Sequence, residues 1–317
     1  MDTRQIQKTG GSSFFITLPK EWIIRNKLKQ KDVLQVFQVE NNDLVIRKTE
    51  NKVIKSINIS VDQYGEDHLS REILACYVSG YDEIILTSKK SFLSEKRNML
   101  KRINDLMFGF ETFNEESNTV ILKNISFQNI PIGIHITKMV KNIHFMYLDL
   151  VTSINNHDLK MVEDVISRDS EIDKINFLIM RKNIYEIKTL GTGEMSNTPL
   201  IDAIYNEHRS TRLERIADHI VKIASTFLVQ KSNFSKKNLK LLKEINKYFQ
   251  LCEKVVITND KKCANEIIDM HKKNKNKNAN NLSDNRFSNC IIQYSISRIK
   301  SYVVNIAEDT INFSYKK

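Results

Sequence analysis

The chain has 317 residues, with 49 Lys and Arg against 38 Asp and Glu, a formal net charge of +11. Apolar residues at 41% and charged residues at 27% are ordinary for a packed globular chain, and the length leaves room for about two domains. Eight Gly and three Pro exclude collagen-like and Pro-rich chains, and they favour long helices over a sandwich that needs a turn every roughly 8–12 residues. In chain order, residues 4–8 and 13–18 read as strands around the turn signal Thr9-Gly10-Gly11. Pro19 opens a short helix over 20–26, at a position that tolerates proline. Residues 33–39 alternate apolar and polar, Asn41-Asn42-Asp43 makes a turn, and 44–47 returns as a strand. Two hairpins of this size cannot bury a core alone, so the first 50 residues call for a partner, most simply a second copy of the chain. Phe14, Phe15 and Trp22 read as hairpin core rather than as base-stacking groups.

Residues 51–128 read as a small α/β connector, with strands at 54–61, 83–87, 111–113 and 119–123 and helices at 68–78 and 93–107. No catalytic constellation is legible there. From Pro131 onward helical periodicity dominates, with helices predicted at 132–155, 158–188, 198–230, 236–257, 260–275 and 286–314. Breaks fall at Asn155-Asn156-His157, 191–198, 232–235, Thr258-Asn259 and the Lys/Asn tract 275–281. The string LERIADHIVKIA at 213–224 recurs as ISRIKSYVVNIA at 296–307, with seven of twelve positions identical or exchanging one aliphatic for another. A second echo pairs 158–173 with 260–275, so the region reads as a duplicated three-helix unit, 129–231 and 232–317.

The first copy carries Asp169 and Asp173 four apart on one helix, and Glu214 and Asp218 four apart on another. That spacing places each pair on one helix face. Asp169 and Asp173 fall on the apolar stripe Val162, Val165, Ile166, Ile172, Ile179 and Met180, where an unpaired carboxylate needs a cation, a donor or a proton. Four carboxylates suit Mg²⁺, Mn²⁺ or iron. The competing reading pairs them with Arg168, Lys174, Arg212 and Arg215 or leaves them in water. In the second copy the equivalents are His271, Lys275, Ser297 and Ser301, so a metal is expected in the first repeat only. His219, beside Asp218, reads as packed or solvated, or as a support for a ligand. Cys76, Cys252, Cys263 and Cys290 form no C-x-x-C pair and read as reduced, mostly packed thiols. No transmembrane segment or signal peptide is legible, which predicts a cytoplasmic protein.

The segments VISRDSEID at 165–173 and LERIADH at 213–219 resemble the two acidic signatures of the PhoU family of phosphate-uptake regulators. RQIQKTGGSS at 4–13 and ITLPKEW at 16–22 resemble an AbrB/SpoVT-type swapped-hairpin DNA-binding domain. The combination is similar to PhoU-type transcriptional regulators of archaea. The resemblance implies a mainly α fold with a duplicated three-helix PhoU-like region behind a swapped-hairpin head at 1–50. It also implies iron or zinc on the acidic motifs, and control of phosphate import with a phosphate ABC transporter or its genes as target.

Charge alone does not single out the head. Residues 1–50 hold nine Lys/Arg and six Asp/Glu, whereas 231–281 hold thirteen Lys and five Asp/Glu. The basic faces of the second segment read as solvated surface. In the head, the Gly-Gly-Ser-Ser turn offers backbone N–H groups and the Ser12 and Ser13 hydroxyls to phosphate oxygens, with Arg4, Lys8, Lys20 and Arg25 close in sequence. The expected function is a dimeric, metal-binding, DNA-binding regulator of phosphate uptake. The alternative is a non-DNA-binding adaptor that regulates a transporter or signalling partner by protein contact. An enzyme is not expected, because no nucleophile–base pair, P-loop or Glu-x-x-His pair accompanies the acids.

Overall fold

The computed structural model describes residues 3–38, 43–48, 54–92, 94–125, 130–189, 200–230, 234–278 and 287–315. The chain divides into one unit comprising 1–53 with 188–197, and a second comprising 54–187 and 198–317. The breaks expected at 191–198, at 232–233 and at 279–281 lie outside the described residues, as do Asn41 and Asn42 of the expected turn.

The head is two antiparallel hairpins around a helical turn. β1 (Gln7–Thr9) pairs with β2 (Ser13–Phe15), Lys8 opposite Phe14, across a turn where Gly10 adopts φ +64°. A side chain there would strain the backbone, which is why glycine occupies it. Both strands are shorter than their apolar patterns predict. α1 (Lys20–Arg25) follows Pro19, and Arg25 sits in its last turn, where a cation opposes the helix dipole. β3 (Leu34–Gln38) pairs with β4 (Leu44–Lys48). No described residue of the head is buried.

The second unit opens with the α/β module: β5 (Ser56–Ser60), α2 (Glu66–Val78), β6 (Glu83–Thr87), α3 (Ser94–Leu106), β7 (Phe110–Glu115) and β8 (Thr119–Asn124). The sheet order is β5-β6-β8-β7, with β5 and β6 parallel and the other pairs antiparallel. Alternating residues Ile59, Ile84, Leu86, Val120 and Leu122 turn inward against Leu69, Ile73, Tyr77 and Ile103 of the two helices. The period of two in the strands puts one face of the sheet against the helices.

The helical region consists of α4 (Ile132–Asn156), α5 (Leu159–Ser167), α6 (Asp169–Thr189), α7 (Leu200–Gln230), α8 (Lys236–Glu244), α9 (Asn246–Thr258), α10 (Lys261–Asn278) and α11 (Phe287–Phe313). Among the described residues six expected helices become eight, because the chain breaks at Arg168 and at Ile245. At the first break Arg168 is held by Asp149 and Asp164, its Nη1 reaching Asp149 Oδ2 at 2.6 Å. Asp169 and Glu171 then start α6, where acidic residues complement the helix N-terminus.

The duplication is visible in the backbone. α4 ends with His157 at φ +53° and α9 with Asn259 at φ +54°. In each case the next residue is an aspartate that caps the following helix. Asp158 Oδ1 accepts from the Met161 N–H at 3.1 Å, and Asp260 Oδ1 accepts from Lys262 N–H at 2.8 Å and Cys263 N–H at 3.2 Å. The two repeats share one core, running from Ile136, Met139 and Leu150 of α4 through Ile216 and Ile220 of α7 to Ile299 and Val303 of α11. The Tyr147 hydroxyl crosses from α4 to donate to the Leu242 carbonyl of α8 at 2.8 Å. Cys76, Cys252 and Cys263 are buried free thiols, and Cys290 is exposed.

Candidate metal centre and nucleic-acid interface

Asp169 opens α6 and Asp173 lies one turn later, while Glu214 and Asp218 lie mid-way along α7. All four are half-buried. They act on one another across the two helices. Burial, then Asp169 and Asp218, push the Asp173 carboxyl up to about 6. Burial and then Asp218 push Glu214 up to about 7. Burial and Asp218 also raise Asp169, whose Oδ1 is sealed from water with no hydrogen-bond partner.

Among the arginines that could neutralise the group, Arg168 is taken by Asp149 and Asp164, and Arg212 by Asp309. Among the described arginines Arg215 reaches the acids, with Nε 3.4 Å from Glu214 and Nη1 3.1 Å from Asp218, and its side chain is 53% exposed. An exposed guanidinium is screened and compensates little.

These are the properties of a hard-cation site: oxygen donors only, several negative charges held together, and one buried oxygen without a donor. Among the described residues, however, no three His, Cys, Asp or Glu side chains converge closely enough to hold a metal ion. The four carboxylates are therefore electrostatic neighbours rather than a formed coordination shell. The stripe expected along one helix is split by the break at Arg168. Val162 and Val165 are buried on α5, and Ile172 and Ile179 on α6.

In the second repeat, Ser301 Oγ donates to the Ser297 carbonyl of its own helix at 3.1 Å, and His271 packs edge-on to Tyr248. The side chain of Lys275 lies outside the described residues. His219 packs between Tyr294 and Tyr302, with Nδ1 buried and unpartnered.

In the head, Arg4, Lys8, Ser12, Ser13, Lys20 and Arg25 are all exposed. Ser12 lies in the turn between β1 and β2, Ser13 opens β2 and Lys20 opens α1. Phe14 and Phe15, expected inside a hairpin core, are 68% and 44% exposed in the single chain. Ile6, Ile24, Val33, Val36 and Leu44 are exposed as well. No described head residue is buried in the single chain, and the sequence signal for this was the shortness of the strands.

The fold and the two sites define a two-part protein, a small β head followed in the chain by a helical domain with an acidic seam. Residues 136–227 match the PhoU domain. Residues 7–53 match the antidote-toxin recognition MazE family of bacterial antitoxins, a MazE/AbrB-type domain. The first match spans all four carboxylates, and the second spans Lys8 to Arg25 but not Arg4. No curated protein matches the chain. Among the described residues no helix is long and apolar enough to cross a membrane.

Proposed function

We propose that this chain is a dimeric DNA-binding regulator of phosphate homeostasis, in which the helical domain takes up a cation. The observation that carries the reading is the unfinished head: its apolar side chains are exposed in one chain, and Arg4, Lys8 and Lys20 are exposed close in sequence to the polar turn beside them. A second copy laid over Phe14, Ile16 and Val36 would bury them and would double the Arg4, Lys8 and Lys20 contacts available to a phosphate backbone. Such contacts fix position on a duplex, and they release counterions. The PhoU match supports the phosphate role and the MazE match supports nucleic-acid binding.

The cation would rest on Asp169, Asp173, Glu214 and Asp218. Iron, zinc, magnesium or manganese would supply positive charge where these carboxylates repel one another. No turnover is assigned to it. Binding would draw the first turn of α6 toward the middle of α7, releasing the protons that Asp173 and Glu214 hold.

A phosphate ABC transporter would be controlled through its genes. Direct docking on such a transporter is the competing reading, and retained phosphate control by a chain lacking the head would favour it. The test is operator binding across a salt series. The logarithm of affinity should fall by about 0.9 per phosphate neutralised for each unit of log salt. Replacing Arg4 and Lys8 with Ala should flatten that slope. A slope unchanged by the double substitution, or flat in the parent protein, removes the DNA role.

A further inference from the structure

The second unit contains a cavity of ≈ 650 Å³ lined by Gly133 and Thr137 of α4, Asp202, Tyr205 and Arg209 of α7, and Thr310 of α11. Arg209 is the unusual member. It is only 5% exposed, and among the described residues no carboxylate forms an ion pair with it. The nearby Asp309 is taken by Arg212 and His208. Its Nη2 donates to the Tyr205 hydroxyl, to Asn259 Oδ1 at 2.5 Å and to Thr310 Oγ1 at 3.1 Å. Its Nε is sealed without a partner, and Nη1 has no hydrogen bond among the described residues. A guanidinium held this firmly by neutral groups retains its full charge, and burying such a charge without a counter-ion is expensive.

The same cavity meets the amino-terminal turn of α4. That 25-residue helix begins at Pro131, which supplies no side-chain cap. The Ile134 N–H turns back to the Pro131 carbonyl at 3.1 Å, and the Gly133 N–H has no bond among the described residues. Uncapped N–H groups and the positive end of a helix dipole attract an anion. The wall differs in character elsewhere. Asp202 contributes a carboxylate, and the ends of α9 at Asn259 and α11 at Phe313 bring carbonyl-rich carboxyl termini to the space. One part of the cavity therefore asks for an oxyanion, and the rest accepts hydrogen bonds and rejects a second negative charge. The volume is that of a small organic ligand rather than of an inorganic ion.

We infer that this cavity binds a hydroxyl-bearing phosphate monoester of sugar-phosphate size, its phosphate on Arg209 and the start of α4 and its hydroxyls toward the carboxyl ends of α9 and α11. This goes beyond the proposed regulator and does not depend on the acidic cluster, so either can fail alone. The test is calorimetric titration of the full chain with ribose 5-phosphate, inorganic phosphate and ribose. The expected result is saturable one-to-one binding of ribose 5-phosphate, with inorganic phosphate weaker and ribose weaker still.

Arg209→Lys keeps the charge but loses the planar fork, and it should weaken binding at least about tenfold. Because that residue also holds α7, α9 and α11 together, Gly133→Phe is the decisive variant. A Cβ at Gly133 meets no atom within 4 Å, and the residue is helical, so the fold tolerates it while the ring fills the cavity. It should weaken ribose 5-phosphate at least about tenfold with an unchanged melting temperature. Absent binding by the parent chain, parental affinity in Gly133→Phe, or equal affinity for ribose 5-phosphate and either of the other two probes would overturn the assignment.

Discussion

Replacing Glu214 with Gln should stabilise the metal-free protein and abolish its response to metal. Glu214 is held at about 7 against an ordinary 4.5, chiefly by burial and then by Asp218. Its side chain is 17% exposed, so solvent does not erase the effect. The raised value means that the native state binds a proton more readily than the unfolded chain. Stability is therefore greatest at acid pH and declines as pH rises from about 4.5 to about 7. Above that window the ionised carboxylate costs up to about 3 kcal/mol, at about 1.4 kcal/mol per unit. Asp173 titrates in an overlapping window, up to about 6, and the two are coupled, so their costs are not summed.

At pH 8, Glu214→Gln removes the ionised group and keeps its shape. A gain of about 2 kcal/mol would raise the melting temperature of metal-free protein by roughly 4–8 °C. Added Mn²⁺, Zn²⁺ or Fe²⁺ should stabilise the parent by about 2.7 kcal/mol at one hundred times its dissociation constant, and should leave the variant unmoved. Thermal scans at pH 5 and pH 8, with chelator and with metal, separate these effects. A variant that melts lower than the parent without metal at pH 8, or that responds to metal as the parent does, refutes the reasoning.

Two further outcomes follow from the structure. Burial, then Lys182 and Lys138, hold His135 down to about 4, so the unfolded chain binds more protons than the native one below the usual 6.5. The stability this histidine contributes, at most about 3 kcal/mol, is complete above about 6.5 and lost as pH falls toward 4. His135→Phe, which keeps the ring contact with Phe108, should be more stable than the parent at pH 4.5 relative to pH 7.5, and an unchanged difference between those two pH values counts against it. In the head, Phe14→Asp should convert dimer to monomer in sedimentation and weaken operator binding together; a dimer of parental strength would show that β2 is not the joint.

The helical layout was legible because its signals are local. Apolar periodicity located the outer bounds of each helical stretch to within a few residues, and αL residues such as His157 and Asn259 fell at the expected breaks. The breaks at Arg168 and Ile245 were not legible, since nothing in VISRDSEID or KEINKYF stops a helix by composition. The first depends on Arg168 finding Asp149, nineteen positions earlier, a contact no window of sequence reveals. The acidic residues were legible as a set, because spacing puts each pair on one face. Whether they close into a shell depends on the separation of α6 and α7, which spacing does not fix. The Arg209 cavity was invisible for the same reason, since its walls come from four helices spread between Gly133 and Ser314. The α/β module was readable as strands and helices but not as to what it touches.

What it touches is α6, and that gives the last prediction. The helix that starts at Asp169 and Asp173 carries Arg181 twelve residues on, about 18 Å along its axis. One side of α6, through Ile172, Ile175 and Ile179, belongs to the helical core, while Phe177 packs on the core of the α/β module. The Arg181 side chain is 13% exposed and donates through Nη1 to the carbonyls of Tyr77 and Tyr81, at 2.5 and 2.8 Å, and it lies 3.5 Å from Asp82. It also stacks over the rings of Tyr77 and Phe110. Arg181→Ala removes the Nη1 donor from the Tyr77 and Tyr81 carbonyls and the guanidinium beside Asp82, although Tyr77 keeps the Gly80 N–H and Asp82 the Lys55 N–H; the cost of about 2 kcal/mol is borne by the α2–β6 junction.

Hydrogen exchange should therefore accelerate in α2 and β6 while protection in α7 and α11 holds. Because a rigid helix packed on both sides cannot absorb a displacement of its first turn locally, a cation that draws Asp169 and Asp173 toward α7 should alter exchange in the module of the parent protein. The same cation should leave the module of Arg181→Ala unchanged although it still binds. A metal-dependent change in the module of that variant equal to the parent's would show that α6 is not the connecting element.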